Sequence, residues 1–139
     1  MVNDIQNKII IVGGGLIGGL LHMMLKSKGF QINHFTKDSN VKNRTFALSP
    51  SSVDWLRSLG LPSIFFESLS EIKSMKIFDS SIKNSVTLNA DDAQKPALAY
   101  MANEKDFIEA IKNSFNNKNL KKLSTDFNIQ KKQDQAILK

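Results

Sequence analysis

Lys8-Ile9-Ile10-Ile11-Val12 passes without a break into Gly13-Gly14-Gly15-Leu16-Ile17-Gly18. A continuous β-branched run with no polar alternation is the pattern of a strand buried on both faces of a parallel sheet. The glycines end it, and from Leu16 to Lys28 the apolar residues Leu16, Ile17, Leu20, Leu21, Met24 and Leu25 recur at helical spacing. Gly29 stands where a C-terminal cap belongs. Phe30-Gln31-Ile32-Asn33-His34-Phe35 then alternates apolar and polar residues, which predicts a second strand. Strand, helix and strand make a βαβ unit with a right-handed crossover. The predicted fold class is therefore α/β, built on a Rossmann-like parallel sheet.

The turn inside this unit carries the first functional expectation. In a G-x-G-x-x-G turn the first glycine, here Gly13, permits the tight bend, and the second, Gly15, lets backbone approach a pyrophosphate. The third, Gly18, lets the helix pack on the strand. Main-chain N–H groups and the positive end of the helix dipole would hold the ligand, making Gly13, Gly14, Gly15, Leu16, Ile17 and Gly18 the candidate dinucleotide-binding residues. The competing explanation is a glycine-lined packing turn without a ligand. An acidic residue that binds ribose usually follows at the end of the second strand, about 20 residues on. Thr36 stands there instead, able to make one hydrogen bond, and Asp38 lies just beyond in a turn-like Lys37-Asp38-Ser39-Asn40.

Composition narrows the rest. The chain has 139 residues, enough for one compact domain, and 41% hydrophobic with 23% charged residues is ordinary for a globular protein. The net charge of +6 owes much to Lys118, Lys121, Lys122, Lys131, Lys132 and Lys139, a solvated Lys/Asn-rich end. It lacks the interleaved aromatic series of a base-stacking platform, so no nucleic-acid partner is expected. Without cysteine, disulfides, thiolate catalysis and Cys-ligated metal centres are excluded, and His22 and His34 alone are too few for most imidazole metal sites. Both histidines read as structural. The apolar stretch from Ile9 to Leu25 is interrupted by glycines where a βα turn would place them, which favours a cytoplasmic chain over a membrane span.

Further along, Ser49 and Pro50 are N-cap and first residue of a second helix that Gly60 and Pro62 close, with Val53, Leu56 and Leu59 as its buried stripe. Met75–Asp79 and Val86–Asn89 read as antiparallel strands, and Ala97–Met101 as a further extended piece. Asn103 caps a third helix, with Glu104 and Asp106 in its first turn and Phe107, Ile108, Ile111 and Phe115 on one face. Residues 1–115 are thus expected to form the folded part, with 72–101 an inserted strand segment and 116–139 a weakly structured tail.

One stretch points beyond a generic nucleotide fold. Asn43-Arg44-Thr45-Phe46-Ala47-Leu48-Ser49-Pro50 runs into a helix ending Leu59-Gly60 and sets a guanidinium ahead of a hydroxyl-rich helix start. Such a group suits a phosphate or an electron-rich ring edge. With the glycine motif before it and Ile72 to Asp79 after it, this stretch resembles the FAD-dependent aromatic hydroxylases (monooxygenases), especially those of ubiquinone biosynthesis that act on polyprenylated phenols. The resemblance covers residues 5 to 115 and is most specific from Arg44 to Gly60. It implies a Rossmann-like FAD-binding domain with Arg44 beside the flavin or its pyrophosphate, and a few strands of an incomplete substrate-domain sheet. It also places Lys105 where the family has an arginine or glutamine that touches FAD. Lysine neutralises phosphate but lacks arginine's planar fork.

The activity implied is oxygen transfer from O2 to a phenol ring, with NADPH or NADH as reductant and FAD as cofactor. No side chain here stands out as a general acid or base. Family members continue with a Gly-Asp motif for the flavin, most of the substrate-binding sheet and a C-terminal region, all without counterpart here. The expectation is an N-terminal portion of such an enzyme, inactive alone, with room for a partner chain that supplies the missing half. Peripheral contact with the inner membrane follows only from the family's lipid-like substrates. The alternatives are a non-catalytic nucleotide-binding module or remnant, and another FAD- or NAD(P)-dependent oxidoreductase.

Overall fold

A computed structural model describes residues 8–37, 43–79, 81, 84–115, 120–122, 129–132 and 135–138. Asp38 lies outside these residues, as do the tail residues Leu123 and Phe127. The chain opens with strand β1 (Lys8–Val12), helix α1 (Leu16–Ser27) and strand β2 (Gln31–Thr36). β1 and β2 pair in parallel, Lys8 opposite Gln31 through Val12 opposite Phe35. Gly29, at φ +85°, ends α1 in the left-handed conformation that glycine adopts without steric cost. A late strand, β8 (Leu120–Lys122), which the sequence pattern does not announce, joins β2 in parallel, giving the order β1-β2-β8.

The middle of the chain builds a second layer. Strand β3 (Thr45–Leu48) leads through Ser49 into helix α2 (Pro50–Ser58), whose N-terminus Ser49 caps by accepting the Ser52 N–H at 3.1 Å. Gly60 closes it at φ +90°. Short helix α3 (Ser63–Glu67) and strand β4 (Ser70–Ile72) follow, then the antiparallel hairpin of β5 (Ser74–Asp79) and β6 (Asn84–Asn89). Strand β7 (Ala99–Asn103) sits between β3 and β4, antiparallel to both, and runs into helix α4 (Glu104–Asn113). Asn103 caps α4 by accepting the Lys105 N–H at 2.8 Å. Strands β9 (Ile129–Lys132) and β10 (Gln135–Leu138) form a terminal antiparallel pair. The architecture is mixed α/β, with parallel and antiparallel sheets.

The core gathers residues from α1, α2, α3, β7 and α4: Met23, Leu56, Phe65, Ala102, Phe107 and Ile111 are all buried, with Phe65 stacked on Phe107 at 4.6 Å. α1 and α4 meet closely at Gly19, where an added Cβ would lie 2.5 Å from Ile111 Cγ2. Small residues at such crossings set the separation of two helices, because there is no side chain to hold them apart.

β1 departs from the expectation of burial on both faces. Ile11 is buried, but Ile10 is 46% exposed and Val12 37%. Among the described residues β1 has a strand neighbour on one side only, so one flank of its β-branched run faces an open groove.

A glycine-turn groove as candidate nucleotide site

The groove holds about 700 Å³ and is bounded by two walls from distant parts of the chain. One wall is Gly13, Gly15, Ile17 and Gly18 at the β1–α1 turn, and the other is Arg44, Phe46 and Glu104. Ile10 and Val12 line it from β1. Ile17, 80% exposed at the first turn of α1, stands at its mouth.

Each glycine of the turn meets a different physical demand. Gly13 holds φ +130°, a backbone conformation that L side chains rarely adopt. At Gly18 an added Cβ would lie 2.2 Å from the Gly13 carbonyl oxygen, so helix and strand end touch backbone to backbone. Gly15, the N-cap of α1, has an ordinary φ of −80°, and an added Cβ there meets nothing within 4 Å. Neither strain nor internal packing therefore requires glycine at position 15. Its missing side chain leaves room on the groove side, where a ligand can reach the backbone.

The start of α1 suits an anion. Gly15 brings no side-chain acceptor to the cap, and no acidic residue lies in the first turn. The first orphan N–H groups of the helix are left to water or ligand, and its dipole favours negative charge.

Arg44 reaches the groove through strand register. In the antiparallel β3–β7 ladder Thr45 lies opposite Asn103, so one step further sets Arg44 opposite Glu104. The Glu104 N–H donates to the Arg44 carbonyl at 2.8 Å. The guanidinium returns two bonds to the Glu104 carboxylate, Nε–H to Oε2 at 2.8 Å and Nη2–H to Oε1 at 2.5 Å. The Arg44 side chain is 60% exposed while that of Glu104 is 8% exposed. The hydrogen bonds to Glu104, and then its charge, hold the Arg44 pKa above its ordinary value. Among the described residues the cation is thus held by Glu104 through two of its five N–H donors. Glu104 escapes sequence reading because only the register brings it to Arg44.

The other expected residues lie apart from the groove wall. Thr36, half-buried at the end of β2, stands behind the turn, its Cβ 3.0 Å from where a Cβ on Gly14 would sit. Lys105 is exposed on the first turn of α4, next to Glu104 but not lining the groove.

Both histidines are buried beneath the turn, each 1% exposed. His22 lies against Phe115 with ring centroids 4.4 Å apart. Burial, then the charges of His34 and Lys26, pull the His22 pKa down to about 4 from an ordinary 6.5. Between these values the unfolded chain binds more protons than the folded one. The His22 contribution to stability is therefore fully present above about pH 6.5 and is lost as the pH drops toward about 4, by on the order of 2 to 3 kcal/mol. Urea midpoints across this range measure the loss. His22→Phe, which removes the titrating group, should flatten the slope.

Among the described residues no three or more His, Asp or Glu side chains cluster as a metal site, and no helix is long and apolar enough to cross a membrane.

The sequence matches no protein-family model and no curated protein. The structure is similar to that of 2,6-dihydroxypyridine-3-hydroxylase from Arthrobacter nicotinovorans, with TM-score 0.67 and 13% identity over 95% of this chain and 32% of that one. It is also similar to Klebsiella pneumoniae HpxO complexed with FAD and uric acid, with TM-score 0.71 and 13% identity over 96% of this chain and 35% of that one. A third likeness is to p-nitrophenol 4-monooxygenase PnpA from Pseudomonas putida DLL-E4, with TM-score 0.58 and 16% identity over 84% of this chain and 31% of that one. The chain thus spans about a third of the length of these proteins and shares the fold of that part.

Proposed function

We propose that this chain carries the Rossmann-like, nucleotide-binding part of an FAD-dependent aromatic monooxygenase and binds FAD in the groove at the β1–α1 turn. The observation that carries this is Gly15: a helix N-cap without a side chain, open toward a groove whose far wall presents a fixed cation, Arg44. Bound FAD would supply the redox and oxygen chemistry. The chain's own residues bind and orient. Backbone N–H groups at Gly14 to Gly18 receive the pyrophosphate, Arg44 adds positive charge, and Ile10, Val12 and Ile17 exclude water from the groove. The similarity of fold to a hydroxylase, a monooxygenase and an FAD complex supports this assignment.

Thr36 contributes a single ribose hydrogen bond and Lys105 long-range neutralisation. The strands within residues 72–101, the β5–β6 hairpin among them, belong to a substrate-domain sheet. NADPH or NADH serves as reductant, and a polyprenylated phenol of ubiquinone biosynthesis is the substrate, met in the cytoplasm at the inner-membrane surface. The chain spans about a third of the length of the similar structures, and turnover requires the remainder of that fold, in this protein or in a partner chain.

The test is direct. Purified protein incubated with FAD and desalted should retain the visible flavin absorbance; a colourless protein overturns the assignment. Thr36→Glu should tighten FAD about tenfold or more, since a hydrogen bond to a charged group is worth about 1.5–3 kcal/mol. No gain in a fluorescence titration would show that Thr36 does not meet the ribose.

A second reading, a nucleotide-binding module without turnover, draws on the bidentate engagement of Arg44 by Glu104, which leaves fewer donors for a cofactor. It predicts FAD binding with no NAD(P)H oxidation under any reconstitution.

A further inference from the structure

His34 and His22 are unused by the groove, yet they lie buried directly beneath its glycine turn. His34 Nε2 lies 2.7 Å from the Gly13 carbonyl oxygen, and the Nδ1 atoms of the two rings are 3.2 Å apart. A carbonyl only accepts, so His34 donates from Nε2. In a neutral ring its Nδ1 is then the acceptor, and His22 donates from its own Nδ1. These tautomers are assigned from the network of partners. Among the described residues no buried side-chain nitrogen or oxygen lacks a partner, and Phe115 seals the pair with its ring 4.4 Å from His22 and 6.1 Å from His34.

The hydrogen bond fixes a peptide plane. In a trans peptide the carbonyl and the N–H point in opposite directions. With the Gly13 carbonyl drawn inward onto His34, the N–H of Gly14 faces away from the core. Glycines on both sides make rotation of this plane sterically cheap, so the turn's own residues do not set its orientation. β2 does so by gripping Gly13 twice: its N–H donates to the Phe35 carbonyl at 2.9 Å, and its carbonyl accepts from His34. Gly18 completes the fit, since an added Cβ there would meet the same carbonyl at 2.2 Å and His34 Nε2 at 3.4 Å.

We propose that His34 is the positioning residue of the glycine turn: its Nε2–H orients the Gly13–Gly14 peptide so that the Gly14 N–H is presented to the phosphates of a dinucleotide, and His22 holds His34 in the tautomer that does this. The nature of the ligand rests on the FAD assignment above; the hydrogen-bond arrangement does not. His34→Gln retains an N–H near the position of Nε2, whereas His34→Leu fills the space without a donor.

The experiment uses the full chain in two arms. In the first, long-range ¹⁵N–¹H correlation of the histidine rings without FAD should show His34 protonated on Nε2 and His22 on Nδ1. The reverse tautomer at His34 overturns the proposal, whatever FAD does. In the second, fluorescence titration with FAD should show at least tenfold weaker binding for His34→Leu and a change within about threefold for His34→Gln, corresponding to one hydrogen bond lost or kept. Far-UV circular dichroism checks that each variant is folded. Equal binding by folded His34→Leu and wild type overturns the positioning role. If His34→Leu does not fold, a large loss in folded His34→Gln would overturn it instead. A wild type that binds no FAD overturns the cofactor assignment, and the tautomers alone then judge the histidine arrangement.

Discussion

Gly15→Val is expected to abolish FAD binding, weakening it at least a hundredfold, while the chain stays folded. Position 15 has a φ of −80° that valine adopts freely, and an added Cβ meets no protein atom within 4 Å. Valine is a poor N-cap, so a stability cost of about 1 kcal/mol is expected. The large effect falls on the ligand. The branched side chain occupies the space through which a pyrophosphate would approach the α1 N-terminus, and donors held away from their acceptor lose their contribution. Fluorescence titration with FAD beside a urea melt separates the two quantities. A Gly15→Val protein that binds FAD as well as wild type would show that the groove at this turn is not the site.

Gly18→Ala is expected to do the reverse, damaging the fold itself. The added methyl would sit 2.2 Å from the Gly13 carbonyl oxygen, far inside van der Waals contact, and the obstacle is backbone. Relief requires α1 to move off the end of β1 or the Gly13 carbonyl to leave His34, which strands a buried acceptor and donor. Overpacking of this kind costs about 1–3 kcal/mol or more, and loss of the buried hydrogen bond adds about 1–3 kcal/mol. Domains of this size are stable by only about 5–15 kcal/mol, so the urea midpoint should fall by a large fraction. A midpoint shift as small as that of Gly15→Val would mean that helix and strand are not in contact at Gly18. Together the two variants divide one motif into a position kept open for ligand and a position closed by packing.

Much of this was legible in the chain. The β1–α1–β2 order, the Ser49 and Asn103 caps and the Gly29 and Gly60 stops all follow from preferences that act over a few residues. Side-chain periodicity, a cap hydroxyl or amide, and a positive φ leave their mark at the position where they operate. Phe107, Ile108, Ile111 and Phe115, read as one face of a helix, are all buried. Strand β8 was not legible: Leu120–Lys122 is short and lysine-rich, and it becomes a strand because β2 offers it an open edge.

The candidate site divides in the same way. That a strand would meet a helix at a glycine turn follows from the residues alone, because that information is steric and local. What stands around the turn depends on long-range packing. His34 reaches Gly13 across 21 positions, and Arg44 reaches Glu104 across 60. The first contact depends on parallel pairing of β1 with β2, the second on the antiparallel register of β3 with β7. A register shift of one residue would turn every side chain of a strand to its other face, so no property of Arg44 or Glu104 taken singly could foretell their pairing. The Gly15 opening faces the groove, and nearby Gly13 is held from below by a histidine, because these four strands settled where they did.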